Sequence, residues 1–307
     1  MSAPVNNRVS ETRYPITDSE REAEKNVLAA LSGYFANAAG SMREAYDRMT
    51  ASTPIAEEMV CEPSDDTGVT GWWVRPQGAP SDRVIMFIHG GAYSLGSAQA
   101  YRGLASQLAK RVGVATFVLD YPLAPEQPFP AAFDAAVDAL AWLNAQGITR
   151  ISMVGDSAGA GLALASISAI DIRSLIASAV LYSPWVDLAL EGGSFSSPNS
   201  YDPIFPVTDI LANAAQSYLA GTSPFDGRAS PLYASTAGLP PLLIQVGSDE
   251  RLLDDARRYA DRVAANGGEV HLAIYEGLHH VFQRSVMELQ GARHALDAAA
   301  AFIGKNW

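Results

Sequence analysis

Cysteine is nearly absent from this chain of 307 residues, where Cys61 stands alone. A single thiol closes no internal disulfide and builds no thiolate metal cluster, so Cys61 reads as an inert strand residue. Long hydrophobic runs are missing too. No stretch approaches the ~18 apolar residues of a membrane span, and residues 1–8 lack the apolar core of a secretory leader. A soluble, cytoplasmic protein is therefore expected. Basic residues are scarce, with 21 Lys and Arg against 33 Asp and Glu and a net charge of −12. That balance argues against nucleic acid or an anionic membrane surface as partner. Histidines number five, which confines any imidazole chemistry to positions 89, 271, 279, 280 and 294. No internal repeat or low-complexity tract stands out beyond an alanine-rich final helix.

What is present is an alternation. After residue 80, strand-like runs (84–88, 114–119, 151–154, 179–182, 242–246, 270–275) take turns with helix-like ones (98–112, 130–146, 158–170, 251–266, 285–304). This is the signature of a parallel sheet covered by helices on both faces. Residues 58–61 and 71–74 add a pair of edge strands joined by a turn at Ser64-Asp65-Asp66-Thr67-Gly68, making eight strands in all. Two segments fall outside the alternation and are candidates for a cap. Residues 1–50 carry a helix announced by Thr17-Asp18-Ser19-Glu20, in the form of a capping box, with Val27, Leu28, Leu31, Tyr34 and Phe35 at helical spacing. Residues 188–225 hold a Gly/Ser/Pro/Asn-rich loop and a helix that starts with a cap at Thr208 and ends near Gly221. Residues 51–187 and 226–307 remain as the core.

Within that frame, Gly155-Asp156-Ser157-Ala158-Gly159 follows a strand and opens a helix. A sharp turn there pushes the Ser157 hydroxyl into the open, where a base can take its proton. Glycines two positions away on either side relieve collisions in so tight a corner. Upstream, the buried run at 83–88 ends in His89-Gly90-Gly91-Ala92-Tyr93. Backbone N–H groups of Gly90 and Gly91, with that of Ala158, suit an oxyanion hole. His89 reads as a structural hydrogen-bonder of this loop.

A serine nucleophile needs a histidine. His271 lies in a strand and His294 on a helix face, which leaves the pair His279-His280 at the carboxyl end of the last strand, the edge where reactive groups collect in doubly wound sheets. The orienting carboxylate belongs to another strand end, and Asp249, Glu250, Asp254 and Asp255 are all there. Asp254 and Asp255 fit a solvated helix N-terminus equally well.

The motifs His89-Gly90-Gly91-Ala92-Tyr93, Gly155-Asp156-Ser157-Ala158-Gly159 and Tyr121-Pro122-Leu123-Ala124-Pro125-Glu126, in this order, resemble the hormone-sensitive-lipase-like family of bacterial esterases, over about residues 55–305. The resemblance implies an α/β-hydrolase fold with a helical cap, no cofactor or metal, and hydrolysis of small-molecule esters with short to medium acyl chains. It implies a catalytic triad of Ser157, Glu250 and His280: the acid motif fits Glu250, Leu252 and Asp254, and the histidine motif fits Gly277, His280 and Phe282. It also implies that the hole is formed at Gly90, Gly91 and Ala158. Tyr93, Asp156 and Trp185 are placed at the substrate pocket; Asp156 reads also as a holder of the local scaffold and Trp185 as core. A homodimer is the family habit. Two departures stand out, Ala92 for a third glycine and Pro122 for an arginine expected to be structural. Amidases, peptidases and lactonases run on the same triad, and plant gibberellin receptors share the fold without the histidine that is present here. Activity should fall as pH drops through the histidine pKa, ordinarily ~6.5.

Overall fold

The computed structural model describes residues 9–170, 173–197 and 202–307. The leader reading at residues 1–8 and part of the Ser/Pro/Asn-rich loop, residues 198–201, lie outside the described residues. Among the described residues nine strands build one sheet: β1 (Ser10–Tyr14), β2 (Met59–Asp66), β3 (Val69–Pro76), β4 (Arg83–Ile88), β5 (Thr116–Leu119), β6 (Arg150–Asp156), β7 (Ile176–Tyr182), β8 (Leu242–Gly247) and β9 (Val270–Tyr275). Their spatial order is β1-β9-β8-β7-β6-β4-β5-β3-β2. Only β3 runs against its neighbours, β2 and β5.

Eight of these strands match the alternation in the sequence, and β1 is the addition. Ser-Glu-Thr-Arg-Tyr has no apolar alternation to announce a strand. It forms because β9 offers a free edge, and the two pair in parallel from Ser10 opposite His271 to Tyr14 opposite Tyr275. The β2–β3 turn is also tighter than expected. Ser64, Asp65 and Asp66 still pair with Gly71, Thr70 and Val69, so the turn is Thr67-Gly68 alone, both at positive φ (53° and 85°), as a two-residue hairpin of this twist requires.

The central strands are apolar on both faces because both faces are covered. In β4, Val84, Met86 and Ile88 join one core while Ile85 and Phe87 join the other, the strand period of two sorting them. Helices α3 (Ala98–Val112) and α9 (Gln290–Asn306) close one core, and α4 (Ala131–Ala145), α5 (Ala158–Ala169) and α8 (Leu253–Ala265) the other.

The N-terminal segment holds two helices, α1 (Asp18–Ala36) and α2 (Met42–Thr50). Thr17 Oγ1 caps α1 by accepting the Glu20 N–H at 3.2 Å. The Glu20 carboxylate accepts the Gly291 N–H at the start of α9, so it serves tertiary docking. A reciprocal capping box occurs instead at Ser41 and Glu44 on α2. Between residues 188 and 225 lie the short α6 (Gly193–Ser196) and α7 (Asp209–Leu219). Thr208 precedes α7 without a side-chain capping bond, and the helix ends in left-handed Ala220 and Gly221.

Candidate active site

β6 delivers Ser157 to the carboxyl edge of the sheet, and α5 starts at the next residue. Ser157 sits at φ 53° and ψ −121°, a conformation that persists only where its surroundings enforce it. Here the Ser157 N–H donates to Tyr182 O at 2.8 Å, and Ser157 O accepts the Trp185 and Gly161 N–H groups, each at 3.1 Å. The flanking glycines are demanded by contact with backbone. A Cβ on Gly159 would lie 2.1 Å from Ile88 O, and one on Gly155 would lie 2.6 Å from Gly159 O.

The loop after β4 runs through three successive positive φ angles, at Gly91 (117°), Ala92 (53°) and Tyr93 (60°). Gly90 does not point its N–H at an open site: that group donates to Asp156 Oδ1 at 2.8 Å. The Gly90 N–H expected at the oxyanion hole is thus engaged by a buried carboxylate. Among the described residues no backbone bond takes up the N–H of Gly91 or Ala92, and Ala158, first in α5, has no intrahelical acceptor for its own.

The three residues expected at the pocket are held as follows. Asp156 is wholly buried, accepting from Tyr101 Oη at 3.0 Å and Arg284 Nη2 at 2.6 Å as well as from Gly90, so it is scaffold. Tyr93 is sealed by stacking on Tyr218 at 3.7 Å. Trp185 is buried in the core with its indole N–H on Asp187 O at 3.1 Å. None of the three presents open surface to a ligand.

Glu250 and His280 meet. His280 Nδ1 lies 2.8 Å from Glu250 Oε2, and both residues are buried. The other carboxylate oxygen accepts the Gly247 N–H at 2.6 Å and the Ser183 hydroxyl at 2.7 Å. Burial pushes the Glu250 carboxyl up to about 8, opposed by these two donors. Burial likewise pushes His280 down to about 4, which keeps its imidazole neutral near pH 7 with one nitrogen free to accept a proton. No hydrogen bond joins Ser157 to His280 among the described residues; such contacts commonly tighten only once substrate is bound.

The neighbouring candidates point elsewhere. His279 Nδ1 contacts the buried Glu24 carboxylate of α1 at 2.7 and 2.9 Å. Asp249 accepts the Ser248 hydroxyl. Asp254 accepts the Ser194 N–H, and Asp255 accepts those of Val186 and Asp187, its carboxyl raised to about 8 by burial. His89 bonds Gly90 O and stacks on Tyr121 at 4.4 Å, as a loop holder should.

Sequence reading missed Ser183, Phe205 and Arg251. Ser183 Oγ accepts the Val281 N–H at 3.0 Å while donating to Glu250; its place at a strand end, one residue past β7, was the available signal. Phe205 packs edge-on against His280 with ring centroids 4.9 Å apart. The Arg251 side chain donates to the carbonyls of Phe195, Phe205 and Pro206, tying these three residues to the one beside Glu250.

A family model described as the α/β hydrolase fold matches residues 85–284. The chain belongs to the α/β-hydrolase family. An acetyl-hydrolase of Streptomyces hygroscopicus is 42% identical over 238 residues, 76% of this chain and 79% of the relative. An esterase of Acinetobacter venetianus is 35% identical over 269 residues, 86% and 88% of the two chains. The crystal structure of an esterase from the bacterial hormone-sensitive lipase family superposes with a TM-score of 0.87 at 35% identity, covering 95% of this chain and 99% of that one. This α/β-hydrolase thus stands among carboxylic ester hydrolases. No helix among its described residues is long and apolar enough to cross a membrane.

Proposed function

We propose that this α/β-hydrolase cleaves short- to medium-chain acyl esters through an acyl-enzyme. The observation that carries the reading is the Glu250 to His280 contact, set on the same sheet edge as the strained serine turn. His280 takes the Ser157 proton as the oxygen attacks the ester carbonyl, and Glu250 holds the tautomer and stabilises the imidazolium. The N–H groups of Gly91, Ala92 and Ala158 bind the oxyanion, each donor worth about 3 kcal/mol of barrier. Collapse of the tetrahedral adduct expels the alcohol, which receives the proton from His280. Water activated by the same histidine then releases the acid.

Residues 1–50 and 188–225 act as the cap in this reading, supported by the contacts of Glu24 and Phe205 with the histidine loop. The molecule works as a homodimer in the cytoplasm, with no nucleic-acid or membrane partner. Light scattering of the purified protein tests the dimer. For the activity, p-nitrophenyl esters of increasing acyl length are to be offered to the wild type and to Ser157→Ala. Hydrolysis that peaks at short chains and vanishes in the variant supports the proposal. A folded wild type silent on every ester points to amide or lactone substrates, or to a ligand-binding role.

A further inference from the structure

The loop carrying Gly91 and Ala92 is under conformational load, and something must hold it. Three consecutive residues at positive φ, two of them with side chains, are costly together and relax unless anchored from outside. Two anchors come from neighbouring backbone. Ser94 and Leu95 both donate to Gly91 O, at 3.0 and 2.8 Å, and Ala124 donates to Tyr93 O at 2.9 Å. The third comes from far away in sequence. Arg43, near the start of α2, donates through Nε to Ser94 O at 2.8 Å and through Nη2 to Ala124 O at 2.8 Å. The same guanidinium forks onto Glu126, with Nη1 3.0 Å from Oε1 and Nη2 2.6 Å from Oε2.

These bonds close a ring. Tyr93 O and Ser94 O, adjacent on one loop, are tied respectively to the Ala124 N–H and, through Arg43, to Ala124 O. The spacing of the two loops is therefore fixed by a rigid planar cation, a task for which the fork geometry of Arg suits and the single ammonium of Lys does not. The ion pair to Glu126 is solvent-exposed, with side chains 40% and 61% accessible, so it contributes little by itself. The two carbonyl contacts are the part that bears on loop shape. Pro122 leaves the Tyr121–Glu126 turn without an arginine of its own, and α2 brings one to it.

The geometry points to Arg43 as a positioning residue for the oxyanion loop, acting through Ser94 and Ala124 on the N–H groups of Gly91 and Ala92. This rests on the ester-hydrolase reading above. Arg43→Met should lower kcat for p-nitrophenyl acetate about tenfold or more while KM stays within about twofold, because the oxyanion forms only in the transition state. Arg43→Lys should recover part of the loss, and Glu126→Gln, which keeps both carbonyl contacts, should lose far less than Arg43→Met.

Amide hydrogen exchange across residues 90–96 and 121–126 supplies a readout independent of catalysis, and it should quicken in Arg43→Met and little in Glu126→Gln. Unchanged kcat in Arg43→Met, or kcat restored to wild type in Arg43→Lys should the methionine variant not fold, overturns the assignment. So does a loss of melting temperature with exchange in both loops unchanged. A wild type inactive on esters, or an active Ser157→Ala, sinks the hydrolase reading instead, and the exchange comparison still decides whether Arg43 shapes the loop.

Discussion

Ser183 Oγ donates to Glu250 Oε1 at 2.7 Å and accepts the Val281 N–H at 3.0 Å, so one hydroxyl joins the proposed acid to the residue following His280. It sits at φ 48° and is wholly buried. Removing it strands the Val281 N–H and one carboxylate oxygen site away from water. A hydrogen bond to a charged group is worth ~1.5–3 kcal/mol, so Ser183→Ala should cut kcat roughly ten- to hundredfold if that bond is fully expressed in the transition state. The sign on pH follows from the same bond. It favours the ionised carboxylate; without it Glu250 keeps its proton to higher pH, and the limb of the rate profile set by Glu250 ionisation should move up. An unshifted limb with normal kcat would show that the hydroxyl only fills space.

Glu250 and Asp249 are adjacent carboxylates with different partners, His280 and Ser248. Glu250→Gln should therefore lose orders of magnitude in turnover, roughly the 10⁴-fold seen when a triad acid is made an amide, while Asp249→Asn should stay near wild type. Steady-state kinetics on both variants checks this. The opposite ranking would place the acid one residue upstream.

Much of this was legible in residue order because it rests on backbone necessity. Gly155 and Gly159 must be glycines whatever the substrate, since neighbouring carbonyls occupy the space of a Cβ. The buried strands announce themselves as apolar runs, since both their faces are covered. What stayed hidden depends on tertiary pairing. β1 has no pattern of its own and is a strand only beside β9. Glycine at position 90 looks like an oxyanion donor until the fold brings Asp156 within 2.8 Å of its N–H. Trp185 reads equally as pocket or core from sequence, and its burial is visible only in the fold. The Thr17 motif predicted a reciprocal box, but Glu20 found a better partner in Gly291.

Two glycines at helical positions separate packing from propensity. Gly33 lies inside α1 with nothing within 4 Å of a Cβ, whereas a Cβ on Gly161 in α5 would lie 2.1 Å from Trp185 O. Gly33→Ala should raise stability by ~0.5–1 kcal/mol through helix propensity alone. Gly161→Ala should cost ~1–3 kcal/mol, because a backbone carbonyl cannot step aside as a side chain can. Urea denaturation of the two variants measures both, and equal effects would contradict the contact geometry.

The pH dependence expected from sequence shifts once burial is known. Neutral His280 is the competent base, so activity falls as pH drops through its folded pKa. Desolvation pushes that value down from the ordinary ~6.5 to about 4; Asp202 and Asp156 oppose the shift, and Arg284 and His279 reinforce it. Glu250 across the 2.8 Å contact favours the imidazolium when ionised and so sets how far the fall goes. The limb of kcat/KM set by the imidazole should thus lie well below 6.5, distinct from the limb set by ionisation of Glu250, whose carboxyl burial raises to about 8. Asp202→Asn removes the largest opposing charge and should move the imidazole limb further down. A His280 imidazole that titrates at or above 6.5 by NMR in the wild type would mean that it is better solvated, or more strongly paired with ionised Glu250, than its burial implies.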